Sequence, residues 1–172
     1  MFFHVKFRGF RIWNWLLLLL TVGWMLFIFN NSLQDGVESG QQSKRLLQFL
    51  QDLLRSLGFR GELSERVLRK LAHFGEFAIL GFLVCVDLWC GGLFSLSDPP
   101  PRSIRIASLS VPFCFCIAGI DEFLQCFSKG RAPQFSDMLI DTSGALCATL
   151  AFLLLFFILR RVKRRKSGQT QI

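Results

Sequence analysis

The stretch IWNWLLLLLTVGWMLFIF, residues 12–29, runs for eighteen positions with Asn14 and Thr21 as its polar interruptions. At about 1.5 Å of rise per residue, roughly 20 apolar residues cross a hydrocarbon core of about 30 Å, so the stretch reads as a membrane span. Three further segments repeat the pattern: Phe74–Phe94, Ile104–Ile120 and Met138–Leu159. Acids inside them are few, Glu76 and Asp87 in the second span and Asp141 in the last. An apolar content of 52% and a mean hydropathy of +0.44 are too high for a soluble domain of this size. The expected fold is therefore an all-α integral membrane protein with four transmembrane helices.

The chain divides into a basic N-terminal arm (1–11), a membrane domain (12–159) and a basic tail (160–172). Lys6, Arg8 and Arg11 precede the first span, Arg102 and Arg105 lie between the second and third, and Arg160, Arg161, Lys163, Arg164, Arg165 and Lys166 follow the fourth. These cations sit in short segments beside helix ends, with Asp98 the single acid among them, whereas the cations on the other side are diluted by acids. That density predicts a membrane protein with both termini in the cytoplasm. The basic start and apolar run resemble a secretory signal, but the exit Asn30, Asn31, Ser32, Leu33 lacks a small-x-small cleavage pattern, and the first helix reads as a retained anchor. Because the basic run of the tail directly follows a span, the net charge of +8 points to anionic lipid headgroups and not to nucleic acid.

Between the first two spans, Leu46, Leu47, Phe49, Leu50, Leu53, Leu54 and Leu57 recur at helical spacing. Ser43 is the expected N-cap and Gly58 the expected stop of an amphipathic helix on the outer face. It fits both a position in the interface and a position as a lid over the bundle. Asp98, Pro99, Pro100 and Pro101 predict a stiff extended turn that continues neither neighbouring helix. Of the six cysteines, Cys85, Cys90, Cys114, Cys116 and Cys147 fall in predicted spans without a C-x-x-C pair, and read as small packing residues. Cys126 lies near the outer face.

Acidic residues gather where three spans meet one side of the membrane: His73 and Glu76, Asp121 and Glu122, Asp137 and Asp141. Charged groups at such depth need partners, water or a ligand, which makes this cluster the candidate site. At 100° per residue, Arg69, His73, Glu76 and Asp87 share one stripe of the second helix. Asp137, Asp141, Gly144 and Ala148 share one of the fourth, where the small residues permit close approach. Purely structural roles stand beside this reading: Glu76 and Glu122 stapling helix ends through Lys70, Lys129 or Arg131, Asp137 as a helix N-cap, and Asp87 paired with Arg102 or Arg105.

Arg69, Lys70, Leu71, Ala72, His73, Phe74, Gly75, Glu76 and Phe77 resemble a signature of the VanZ-like membrane protein family. A second signature runs Asp121, Glu122, Phe123, Leu124, Gln125, then Phe127, Gly130, Arg131, Asp137 and the helix start Asp141, Thr142, Ser143, Gly144, Ala145. Asn31, Ser32 and Gln34 stand at the family's Ser-rich turn. The resemblance implies a small multi-pass envelope protein, in a family named after an accessory determinant of teicoplanin resistance. The chain departs from the family pattern at Phe77, Asp141 and Ala148, where Tyr, often Asn and often Gly stand.

Two kinds of activity fit these residues. In an enzyme, Glu122 or Glu76 acts as general base, His73 as acid or orienter and Asp121 beside them, while Lys70, Gln125, Arg131, Asp137 and Asp141 bind substrate. A metal-dependent form would draw on His73, Glu76, Asp121 and Glu122, but H-x-x-E is a common pattern, and no metal or other cofactor is assigned. In a non-catalytic binder, Arg131, Lys70 and Gln125 hold the polar head of a lipid-linked precursor or amphipathic drug. Membrane lipids are the expected partners in both. A proton path from Asp87 to Glu76 ranks behind these two readings.

Overall fold

The computed structural model describes residues 12–34, 44, 47–53, 55–58, 61 and 64–169. Among them are five long or medium helices, α1 (Ile12–Leu33), α2 (Glu65–Cys90), α3 (Pro100–Ala107), α4 (Ser110–Gln125) and α5 (Phe135–Gln169), and no strand. Four runs are long and apolar enough to cross a membrane: α1, α2, the α3–α4 pair taken as Pro100–Gln125, and Phe135–Lys166 of α5. The chain is thus an all-α, multi-pass membrane protein.

The helices extend beyond the apolar runs in ways that local chemistry explains. Ser64 caps α2 by accepting from the Val67 N–H at 3.3 Å, so the helix starts nine residues before Phe74, the expected start of the span. It stops at Cys90, four residues short of Phe94, where Gly92 takes a positive φ of 81°. The proline run is a correction to the expected extended turn: Pro99 stands at the N-cap and Pro100 and Pro101 open α3. Proline is tolerated in a first turn because the N–H it lacks would have no intrahelical partner there. The break between α3 and α4 falls at Ser108–Leu109, where Pro112 has no N–H to give the Ser108 carbonyl.

Helix α2 packs most extensively on α5, and glycine sets how closely. A methyl group on Gly144 would overlap the Phe74 carbonyl, and one on Gly81 would lie 2.9 Å from the Ala145 Cα. Two apolar cores result. Ile28, Phe77, Leu80, Cys114, Ile117, Ala118 and Ala145 fill the half beneath the acidic cluster. Cys85, Phe94, Ala107, Phe152, Leu153 and Phe156 fill the opposite half, where Trp89 meets Phe156 edge-on with ring centres 5.8 Å apart. Cys85 and Cys114 are buried core residues, and all six cysteines are free.

Helix α1 buries only Thr21, Ile28 and Ser32, while Leu16, Leu19 and Leu26 stay exposed on the surface that lipid would cover. In the connection that follows, residues 47–53 and 55–56 are helical and Gly58, with φ 88°, ends the helix as expected. Its Phe49, Leu53 and Leu57 form one exposed stripe; Ser43, Leu46 and Leu54 lie outside the described residues, as does the N-terminal arm. The basic tail does not leave the bundle at once, since α5 continues through it to Gln169, with Arg160 buried and Arg161–Lys166 exposed.

Candidate functional site

The polar cluster at the α1 exit end draws on all four spans and not only the last three. Two polar side chains of the last turn of α1 reach across it. Asn31 donates from Nδ2 to Glu76 Oε1 at 2.9 Å, and Ser32 donates from Oγ to Asp121 Oδ1 at 2.6 Å. The Ser32 carbonyl, left free by the end of the helix, accepts from Ser128 Oγ at 2.7 Å and Arg131 Nη1 at 3.5 Å. Trp24, one heptad before Asn31, donates to the Glu76 carbonyl at 2.9 Å, so one stripe of α1 holds α2 in register.

On the α4 side each carboxylate oxygen accepts a hydrogen bond. Glu122 accepts from Gln125 Nε2 at 3.2 Å through Oε1 and from the Gln134 N–H at 2.7 Å through Oε2. The second bond ties the loop that leads into α5. Asp121 accepts from Ser32 and, at 3.4 Å, from Gln125 Nε2. Asp121, Glu122 and Gln125 are all buried. Gln125 therefore serves to orient two acids and presents little to a headgroup.

On the α5 side the arrangement is different. Asp141 is 0% exposed, and neither of its oxygens makes a hydrogen bond. His73 Nδ1 lies 3.6 Å from Asp141 Oδ1, a distance beyond ordinary hydrogen-bond length, and that nitrogen too has no hydrogen-bond partner. The close α2–α5 contact at Gly144 brings this pair together, as the stripe of small residues predicts. Among the described residues, His73, Asp121 and Asp141 bring one donor atom each within 4.8 Å of one another. A metal-dependent form would thus draw on Asp141 in place of Glu76 and Glu122, because Glu76 turns to Asn31 and Glu122 to Gln125 and Gln134.

The rim is basic. Lys70 Nζ lies 3.7 Å from Asp137 Oδ1, so Lys70 staples neither Glu76 nor Glu122. Asp137 lies inside the first turn of α5, with its N–H bonded to the Gln134 carbonyl at 2.8 Å, and so is not the N-cap. A carboxylate there still complements the helix dipole. Arg69 pairs with Glu65 at 3.7 Å. Arg131 is half-buried in the α4–α5 loop, and its Nε is buried without a hydrogen bond. Burial, then the neighbouring Arg69, lower its pKa, while Asp121, Glu76 and Glu122 oppose the shift.

Asp87 does not belong to this cluster. It accepts from Thr21 Oγ1 at 2.6 Å, whereas Arg102 pairs with Asp98 at 3.6 Å, which corrects the expected Asp87–Arg102 contact. Eleven positions along α2, about 16 Å, separate Asp87 from Glu76, and buried Phe77, Leu80 and Cys85 lie between them in the sequence of α2.

Asn31, Ser32, Ser128 and Gln134 were not expected as members of the site. The first two carry a signal in sequence, as polar residues closing an apolar run, but nothing local says which acids they meet. A sequence model of the VanZ/LLP1 family matches residues 16–158. No curated protein and no solved structure matches the chain.

Proposed function

This chain belongs to the VanZ/LLP1 family, and on that footing we propose that it lies in the bacterial cytoplasmic membrane with both termini inside and its polar cluster at the outer leaflet. There it binds or processes a lipid-linked or cell-surface component. The observation that carries the reading is the His73–Asp141 pair at the end of the bundle, whose facing atoms are buried and make no hydrogen bond. Burying a carboxylate in this way costs several kcal/mol, on the order of what a functional site and not a structural one sustains. Arg131 and Lys70 stand beside it as donors for a phosphate or carboxylate headgroup. The exposed apolar faces of the helices accommodate acyl or prenyl chains without a closed cavity.

Within this reading, His73 and Asp141 are the groups available to move a proton or orient a reactant, and Glu76 lies beside them with one oxygen on Asn31. Glu122 is a brace for the α4–α5 loop. The same surface without turnover is a headgroup-binding site, and the teicoplanin association of the family makes glycopeptide susceptibility a useful secondary readout. The test is mass spectrometry of envelope lipids from cells expressing the wild type, Asp141→Asn or neither, at equal membrane abundance, together with lipids that copurify. A covalent lipid change present only with the wild type establishes an enzyme. An unchanged pool with one copurifying species lost in Asp141→Asn establishes a binder. Identical pools and identical copurifying lipids in all three would sink the proposal.

A further inference from the structure

We propose that His73, Asp121 and Asp141 form a binding site for one divalent transition cation, Mn²⁺ or Zn²⁺, held between α2, α4 and α5. The site shares His73 and Asp141 with the lipid reading but does not depend on it, because cation binding is measured with no lipid substrate present.

Geometry supplies the first argument. Donor atoms of one His and two Asp lie within 4.8 Å of one another. Ligands about 2.0–2.2 Å from a shared ion are roughly 3–4 Å apart, so side-chain adjustments of about 1 Å or less close the shell. The three residues come from three helices, and two of those helices are fixed against each other by the Gly144–Phe74 and Gly81–Ala145 approaches. The donors are thus preorganised by backbone packing and not by flexible loops.

The state of the donors is the second and independent argument. Asp141 is 0% exposed, with both carboxylate oxygens lacking a hydrogen bond, and His73 Nδ1 is likewise unpartnered. Side chains of this kind, aimed at a shared point, meet the needs of a cation that takes anionic oxygen and neutral imidazole nitrogen together. The contrast with Glu122 is internal to the cluster: that equally buried carboxylate uses both oxygens on Gln125 and Gln134. Asp121 shows the arrangement of a ligand oriented from behind, with Ser32 at 2.6 Å on one oxygen and Gln125 at 3.4 Å on the other.

The donor set also indicates which ion. Mg²⁺ and Ca²⁺ favour all-oxygen shells, whereas one imidazole with two carboxylates suits Zn²⁺ or Mn²⁺. Three protein ligands leave coordination positions for water or an anionic oxygen.

The experiment uses the full chain in detergent, purified through a tag without histidine and stripped with a chelator. Mn²⁺ is titrated and followed by electron paramagnetic resonance, with pulsed measurements to detect nitrogen coupling, and Zn²⁺ is added in competition. The expected result is one Mn²⁺ per chain, displaced by Zn²⁺, with nitrogen coupling from one imidazole. His4 and His73 are the chain's two histidines, so His4→Gln keeps that coupling and His73→Gln removes it. Asp141→Asn weakens Mn²⁺ affinity by about tenfold or more. The proposal is overturned by absence of saturable Mn²⁺ or Zn²⁺ binding below millimolar concentration, or by binding without nitrogen coupling. Coupling that disappears in His4→Gln, or affinity unchanged in Asp141→Asn, overturns it as well. Should the His73 and Asp141 variants fail to fold, the wild type and His4→Gln decide the matter between them.

Discussion

Glu122 on α4 and Asp141 on α5 are buried carboxylates at the same end of one bundle, and their surroundings differ in kind. Glu122 accepts a side-chain amide and a backbone N–H, and by doing so fixes the path of the chain into α5. Asp141 accepts nothing, and faces a histidine nitrogen at 3.6 Å. A buried acid with satisfied oxygens contributes to the fold, whereas one without donors is a cost that the fold must carry. On the reading proposed above, Glu122 belongs to the frame of the cluster and Asp141 to its working part. Residue type alone would have ranked the two carboxylates equally.

That contrast breaks most completely where α2 and α5 touch. Gly144→Val forces its side chain into the Phe74 carbonyl, and the expected loss lies at the upper end of the roughly 1–3 kcal/mol typical of overpacking, read as a lower unfolding midpoint in detergent. Separation of His73 from Asp141 follows from the same displacement. A smaller change makes the frame resemble the site: Ser32→Ala leaves Asp121 with the 3.4 Å contact to Gln125. Loss of about 1–3 kcal/mol is expected by the same measurement. Lys70→Gln removes the 3.7 Å rim pair with Asp137, in which the lysine side chain is 39% exposed. Stability should fall by less than about 1 kcal/mol, while retention of an anionic lipid during purification should weaken.

Much of the fold was legible because apolar run length and helical spacing are local properties. The four spans, the stop at Gly58 and the α2–α5 approach at Gly144 all follow from such patterns. Pro100 and Pro101 depart from the expected extended turn because proline excludes a helix interior but opens a first turn well, and position relative to the helix start decides between the two. Convergence of His73, Asp121 and Asp141 could be anticipated from their place at the same end of three spans, but the partner of each acid could not. Asn31 meets Glu76 and Ser32 meets Asp121 across 45 and 89 residues of sequence. No periodicity encodes such pairings. The bond that Glu122 accepts from Gln134, twelve residues on, is equally hidden from any local pattern.

The division between frame and site is tested most directly by comparing the unfolding midpoints of Glu122→Gln and Asp141→Asn with that of the wild type, in chelator-treated protein. Glu122→Gln replaces one acceptor oxygen with an NH₂ group that confronts a donor, and its midpoint should fall by the equivalent of about 1–3 kcal/mol. Asp141→Asn replaces a buried carboxyl to which no group donates, and its midpoint should stay within about 0.5 kcal/mol of the wild type or rise. The reverse order, with Asp141→Asn the more damaging of the two, would contradict the account.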